Sequence, residues 1–260
     1  MSGFILYEIP SSSRLSISPP CYTLKCILNF KGLPFEVKWT EYPDIKPLYE
    51  KNGILATSWN PDDTPRYTLP LLYDKENDRY ISESFEIVKY LESTYADHPN
   101  QHNAGAKVPS VFPYNTAGLH AAFVDAFIAG LMPNAAIIFT VIWKSLNPES
   151  VDFYDIARQK NTGKPLSKIA PTPEIEAQHW AKYKEFYGKV DGWFEQGKLT
   201  GPFLMGDAPS WSDFMIGGHL AVLRAGWGED SEKWKDLRTW HSGRWAKLVD
   251  GLKEYEGDGL

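Results

Sequence analysis

Residues 67–91 read Y-T-L-P-L-L-Y-D-K-E-N-D-R-Y-I-S-E-S-F-E-I-V-K-Y-L. The first seven, Tyr67 to Tyr73, have the composition of a strand, yet Pro70 stands inside them. Proline has no N–H to give to a ladder. The segment is therefore either an edge strand with a trans proline, or it carries a cis bond that leaves the Leu69 backbone free to pair with an extended ligand. A polar turn, Lys75 to Asp78, leads into a short strand at Arg79 to Ile81. From Glu83 to Tyr95, Phe85, Ile87, Val88, Leu91 and Tyr95 fall on one helical face.

Upstream, Phe4 to Ile9 is a candidate first strand, and a loop from Pro10 to Ile17 carries four serines. Pro19 to Phe30 is helical in pattern and stops at Lys31-Gly32. Pro34 to Thr40 alternates as a strand, and Ile45 to Asn52 forms a short helix closed by Gly53. The order β-α-β, helix, β-β, helix predicts a small α/β domain over residues 1–97. His98 to Pro113, with Pro99, Gly105 and Pro109, reads as a linker. The remainder, 114–260, is predicted to be all helical. Its segments are Asn115 to Leu131, Asn134 to Leu146 beyond the break at Pro133, Thr172-Pro173 to Gln196, a helix after Ser210, and Trp234 to Leu252.

Composition excludes several function classes. Hydrophobic residues make up 43% and charged ones 23%, a globular balance. A net charge of −6 argues against a nucleic-acid partner. No run of 18 apolar residues exists, so no membrane partner is expected. Met1-Ser2-Gly3 lacks the basic and apolar regions of a secretion signal, and a cytoplasmic location is expected. Cys21 and Cys26 lie about 140° apart around a helix, which favours neither a disulfide nor a metal site. The ten tryptophans either fill a helical core or line an apolar pocket for a flat aromatic ligand.

Three features could carry chemistry, and each has a plain alternative. Ser18-Pro19 suits the start of any helix; it also suits a hydroxyl donating to a thiolate held at the positive helix end. Pro20 removes a further amide there, which weakens such a site. Leu69-Pro70 is the second feature. Glu83-Ser84 is the third: a helix cap, or a carboxylate and hydroxyl for the amino-acid head group of a ligand.

Taken in order, these features resemble the glutathione transferases. Ser18 lies 13 residues before Lys31-Gly32; T-L-P-L-L-Y-D (Thr68 to Asp74) is similar to that family's cis-proline segment. E-S-F-E-I-V-K-Y-L (Glu83 to Leu91) and the pair Gly206-Asp207 with Ser210-Trp211-Ser212-Asp213 resemble its other signatures, the last as a helix-capping element. I-S-P, L-N-F-K-G-L-P-F and W-T-E-Y-P-D-I look like the etherase-related, fungal-specific class A. The resemblance implies a thioredoxin-like N-terminal domain plus an all-α C-terminal domain. It also implies glutathione as co-substrate without a metal, a homodimer, and hydrophobic aromatic small molecules as partners. Ser18 would be catalytic, with Ser16 its nearest rival for the sulfur. Leu69, Pro70, Glu83 and Ser84 would bind glutathione. The rival function is a ligandin that binds polyphenolic molecules with little turnover. Cys21 is expected as buried packing, and residues Phe123 to Trp143 as one wall of the second site.

Overall fold

The computed structural model describes residues 3–13, 15–60, 62–96, 109–169, 172–197 and 200–257. The α/β half contains β1 (Phe4–Glu8), α1 (Pro19–Phe30), β2 (Phe35–Trp39), α2 (Ile45–Lys51), β3 (Ser58–Trp59), β4 (Pro65–Arg66), β5 (Leu71–Asp74), β6 (Arg79–Ser82) and α3 (Ser84–Thr94). Four strands form one sheet in the order β2-β1-β5-β6, with β1 parallel to β2 and the other pairs antiparallel. Leu6 sits at the centre of the register, opposite Val37 on one side and Leu72 on the other.

Of the two alternatives left open for Pro70, the edge strand falls here. β5 lies between β1 and β6, so it is an interior strand and not an edge. It tolerates Pro70 because the ladder starts at Leu71, one residue past the proline. Ser58–Trp59 and Pro65–Arg66 also pair as a small two-stranded ribbon, β3 with β4, which the short and polar sequence there did not announce.

α1 ends as its sequence predicts. Gly32 takes φ +64, and Leu33 N–H reaches back to Leu28 C=O (2.9 Å). Lys31 does more than sit at a helix end. It is buried, and its Nζ pairs with Glu92 on α3 (2.7 Å) and donates to Pro109 C=O (3.1 Å). One residue thereby ties α1 to α3 and to the chain leaving the domain.

The helical half holds α4 (Ala117–Leu131), α5 (Ala136–Ser145), α6 (Pro148–Thr162), α7 (Pro173–Gly197), α8 (Trp211–Trp227) and α9 (Glu232–Leu252). The linker predicted at His98 to Pro113 falls mostly on 97–108, outside the described residues. Pro133 does break the chain: a single 3-10 turn, Met132–Asn134, separates α4 from α5, and the two are bent by 79°. α9 is interrupted too, with non-helical backbone from Trp240 to Gly243. No single described helix is long and apolar enough to cross a membrane.

α8 is the central helix of this half. Every residue from Trp211 to Arg224 is buried, as expected for a helix apolar on all sides. Ser210 and Asp213 form its reciprocal cap: Asp213 accepts from Ser210 N–H (2.9 Å), Ser210 Oγ (2.6 Å) and Leu204 N–H (2.7 Å). Burial pushes the Asp213 carboxyl up to about 6 against the pull of those bonds. α8 packs on α1 through Gly218. A Cβ there would stand 2.5 Å from Pro19 O and 2.6 Å from Thr23 Oγ1. Glycine is what lets the two helices touch, and that contact sets where the start of α1 lies.

Candidate functional site

Ser18 is the N-cap of α1, with extended backbone at φ −105° and ψ 112°. Its side chain makes no capping bond. The next two residues, Pro19 and Pro20, have no N–H, so the first amide the helix can present is that of Cys21. The first helical bond is Tyr22 N–H to Ser18 C=O (2.9 Å). The hydroxyl is left half-buried beside the Cys21 thiol, a weak partner. Burial pushes that thiol far above its usual range, and the Glu8 charge adds to the shift, so Cys21 stays protonated and serves as packing.

The other serines of the loop are committed elsewhere. Ser16 is buried and donates to Glu8 Oε1, and Lys25 Nζ lies 3.4 Å from the other oxygen of that carboxylate. Burial raises the Glu8 pKa, while Lys25 and Ser16 pull it back. Ser11 donates to Leu15 C=O (2.7 Å), and Ser12 Oγ to Ser145 C=O (3.2 Å) on the helical half. Sequence left Ser16 and Ser18 as rivals; of the two, only Ser18 lines the cavity described next.

That cavity, about 260 Å³, lies between the two halves. All five residues singled out in the sequence line it: Ser18, Leu69, Pro70, Glu83 and Ser84. The Leu69-Pro70 bond is cis. Among the described residues, neither the N–H nor the C=O of Leu69 has a hydrogen-bond partner, and Thr68 C=O is held by Tyr49 Oη (2.8 Å). Glu83 joins β6 to α3 at φ +66°, ψ 116°, a conformation strained for a non-glycine residue. Its carboxylate accepts from Thr57 Oγ1 (2.9 Å). Ser84 follows as the first residue of α3, in the turn whose amides point outward.

The opposite wall is helical and mostly apolar. α4, the bend and α5 supply Ile128, Leu131, Met132, Ala135, Ile138 and Phe139, within the stretch Phe123 to Trp143. Among the polar residues on the cavity that sequence reasoning did not single out are Arg66 on β4, Tyr154 and Arg158 on α6, and His219 on α8. α6 itself could have been found, because Asn147-Pro148-Glu149 and Gly163 mark its ends. His219 gives no such signal. Its Nδ1 donates to Met215 C=O (2.8 Å), and burial lowers its pKa to about 4. The ring is therefore neutral with Nδ1 protonated, and Nε2 is left as an acceptor.

The cavity thus joins a polar edge, suited to an extended peptide with an amino-acid head, to an apolar chamber reached across Ser18. Family models agree with that division. Glutathione S-transferase, N-terminal domain, matches residues 17–94, and glutathione S-transferase, C-terminal domain, matches 118–255. The chain belongs to the glutathione S-transferase family. Two solved relatives resemble this transferase over nearly their whole length. One is a glutathione S-transferase of Ceriporiopsis subvermispora solved in complex with glutathione (32% identity, TM-score 0.87, 98% of each chain covered). The other is glutathione transferase GSTFuA3 of Phanerochaete chrysosporium (31% identity, TM-score 0.86, 99% of each chain). A curated relative, the glutathione S-transferase-like protein ustS of Aspergillus flavus, is 25% identical over 98% of this chain and 90% of its own length. The transferase architecture, a thioredoxin-like half followed by a helical half, is shared throughout.

Proposed function

We propose that this transferase binds glutathione along the polar edge of the cavity and joins its sulfur to a hydrophobic aromatic electrophile, by addition or by displacement at an ether. Leu69 N–H and C=O pair with the cysteinyl unit, Glu83 takes the γ-glutamyl amino group, and Ser84 with the first amides of α3 takes its carboxylate. Ser18 donates its hydroxyl to the sulfur, which sits at the positive end of α1. The observation that carries this reading is the Ser18 hydroxyl: it caps no amide of its helix, has only the weak Cys21 thiol beside it, and is set where the polar edge meets the apolar wall. The likeness to GSTFuA3 and to a glutathione-bound relative supports membership of the fungal etherase-related class and a homodimer.

A second reading, storage of aromatic molecules with little turnover, is favoured by Pro20, which costs the thiolate an amide. A separate cavity of about 170 Å³ lined by Trp180 and Trp227 also favours it. Steady-state conjugation of glutathione to an aromatic isothiocyanate separates the two. Turnover that falls on Ser18→Ala by roughly 10²-fold or more is the expected result. Stoichiometric dye binding with no turnover in the wild type favours storage.

A further inference from the structure

The helical wall of the cavity is mostly apolar, and its one charged residue among those described, Arg158, reaches in from α6 beside Ile138, Phe139 and Ile142. Its guanidinium carbon lies 4.9 Å from the ring centre of Phe139 and 4.8 Å from that of Tyr154. The Nε–H is buried and has no acceptor at hydrogen-bond geometry. The Tyr42 and Tyr154 hydroxyls lie near enough to interact with the guanidinium, but both are neutral and neither balances its charge. Among the described residues no carboxylate pairs with this cation. The acids around it are committed elsewhere. Asp155, one turn away on α6, accepts from Leu166 N–H (2.7 Å) and Gln159. Glu41, beside Tyr42, accepts from Asn147 (2.8 Å) and Ser150. Glu83, at the far polar edge, accepts from Thr57 (2.9 Å).

A guanidinium stays charged at any physiological pH. Burying one without a counter-ion is costly, and ring faces return only part of that cost. The bland account is that Arg158 is a packing residue, holding α6 against α5 and the Tyr42 segment. It explains the stacked stem but leaves a charged group on the wall of a ligand-sized space without a counter-ion. A planar anion fits what is left, since a carboxylate accepts two parallel bonds from the guanidinium fork, which the Phe139 and Tyr154 rings hold in place.

We propose that Arg158, with Tyr154, selects aromatic carboxylates as the molecules this cavity takes beside glutathione. The proposal rests on the reading of the cavity as the co-substrate site and sharpens it to one chemical class. The test is isothermal titration of the matched pair naphthoate and naphthamide, with glutathione saturating, at neutral pH. Wild type is expected to bind naphthoate at least ~10-fold more tightly than the amide. Arg158→Met is expected to bring the two within about threefold of each other. Arg158→Lys, which keeps the charge and loses the fork, is expected to retain a reduced preference, and it serves as the readout where the Met variant does not fold. Equal affinities in the wild type, or a preference that survives Arg158→Met, overturns the proposal. Turnover of a neutral isothiocyanate is measured alongside. Activity there without any acid preference removes the Arg158 assignment alone; acid preference without activity removes the transferase reading and leaves Arg158 standing.

Discussion

Ser18 and Ser16 are two residues apart and do different work. Ser16 Oγ donates into the buried Glu8–Lys25 pair. Ser16→Ala is therefore expected to cost stability, about 1–2 kcal/mol in urea unfolding, with little change in the turnover rate. The sequence favoured Ser18 but kept Ser16 as its rival, because nothing in a run of serines says which one meets a buried carboxylate. His120 and His219 make a pH prediction at the same scale. Both are buried, and burial depresses both to about 4 from the ordinary 6.5. A histidine with a depressed folded pKa stabilises the fold fully above the unfolded value, and that stability is lost as pH falls from 6.5 toward 4. At about pH 5 each should have lost up to roughly 2 kcal/mol. Chemical denaturation at neutral pH and at about pH 5 checks this, and His120→Gln should flatten part of the slope. Neither histidine was legible as a cavity or core residue, since His219 is placed by α8 crossing α1 and not by any local motif.

At the scale of elements, the site depends on how α1 is held. Gly218 lets α8 approach Pro19 and Thr23, and Thr23 Oγ1 bonds both Pro19 C=O (2.9 Å) and Phe214 C=O (3.1 Å) across that contact. Gly218→Ala forces the helices apart at the turn that carries Ser18. It is expected to lose about 1–3 kcal/mol of stability and, at temperatures where the fold persists, to lower kcat more than the affinity for glutathione. Thermal unfolding and steady-state kinetics on the same sample test both halves of that statement. Local patterns announced α1, α3 and the Ser210–Asp213 cap, because each has its own capping chemistry and apolar stripe. The ribbon β3–β4 was not legible, being four residues in all, and the sequence left Pro70 open between an edge strand and a cis bond, of which the structure has the second. Which side chains of α6 and α8 face the chamber depends on the 79° bend between α4 and α5, and no spacing rule encodes that angle.

Across the whole molecule, the cavity belongs to neither half alone: its polar edge comes from the α/β half, and most of its apolar wall from α4, the bend and α5. α1 is buried nearly all round, packed against α3 on its own side and α8 on the other. The two halves should therefore unfold together. Eight of the ten tryptophans lie in the helical half, so tryptophan fluorescence reports mainly on it, while circular dichroism averages the whole chain. Coincident transitions by the two probes are expected, and separate midpoints would show that the shared core does not couple the halves. The division into two parts was plain from the change of pattern after Tyr95, but the chamber between them arises only from their packing. The account turns on Ser18 holding a thiolate at the start of α1. The direct measurement is the ultraviolet thiolate absorbance of glutathione bound to the protein, titrated with pH in wild type and in Ser18→Ala. The expected result is a bound thiol whose pKa lies at least about one unit below that of free glutathione, and whose shift is mostly lost in the variant. A bound thiol that titrates like the free one, or an identical shift in both proteins, contradicts the role given to Ser18.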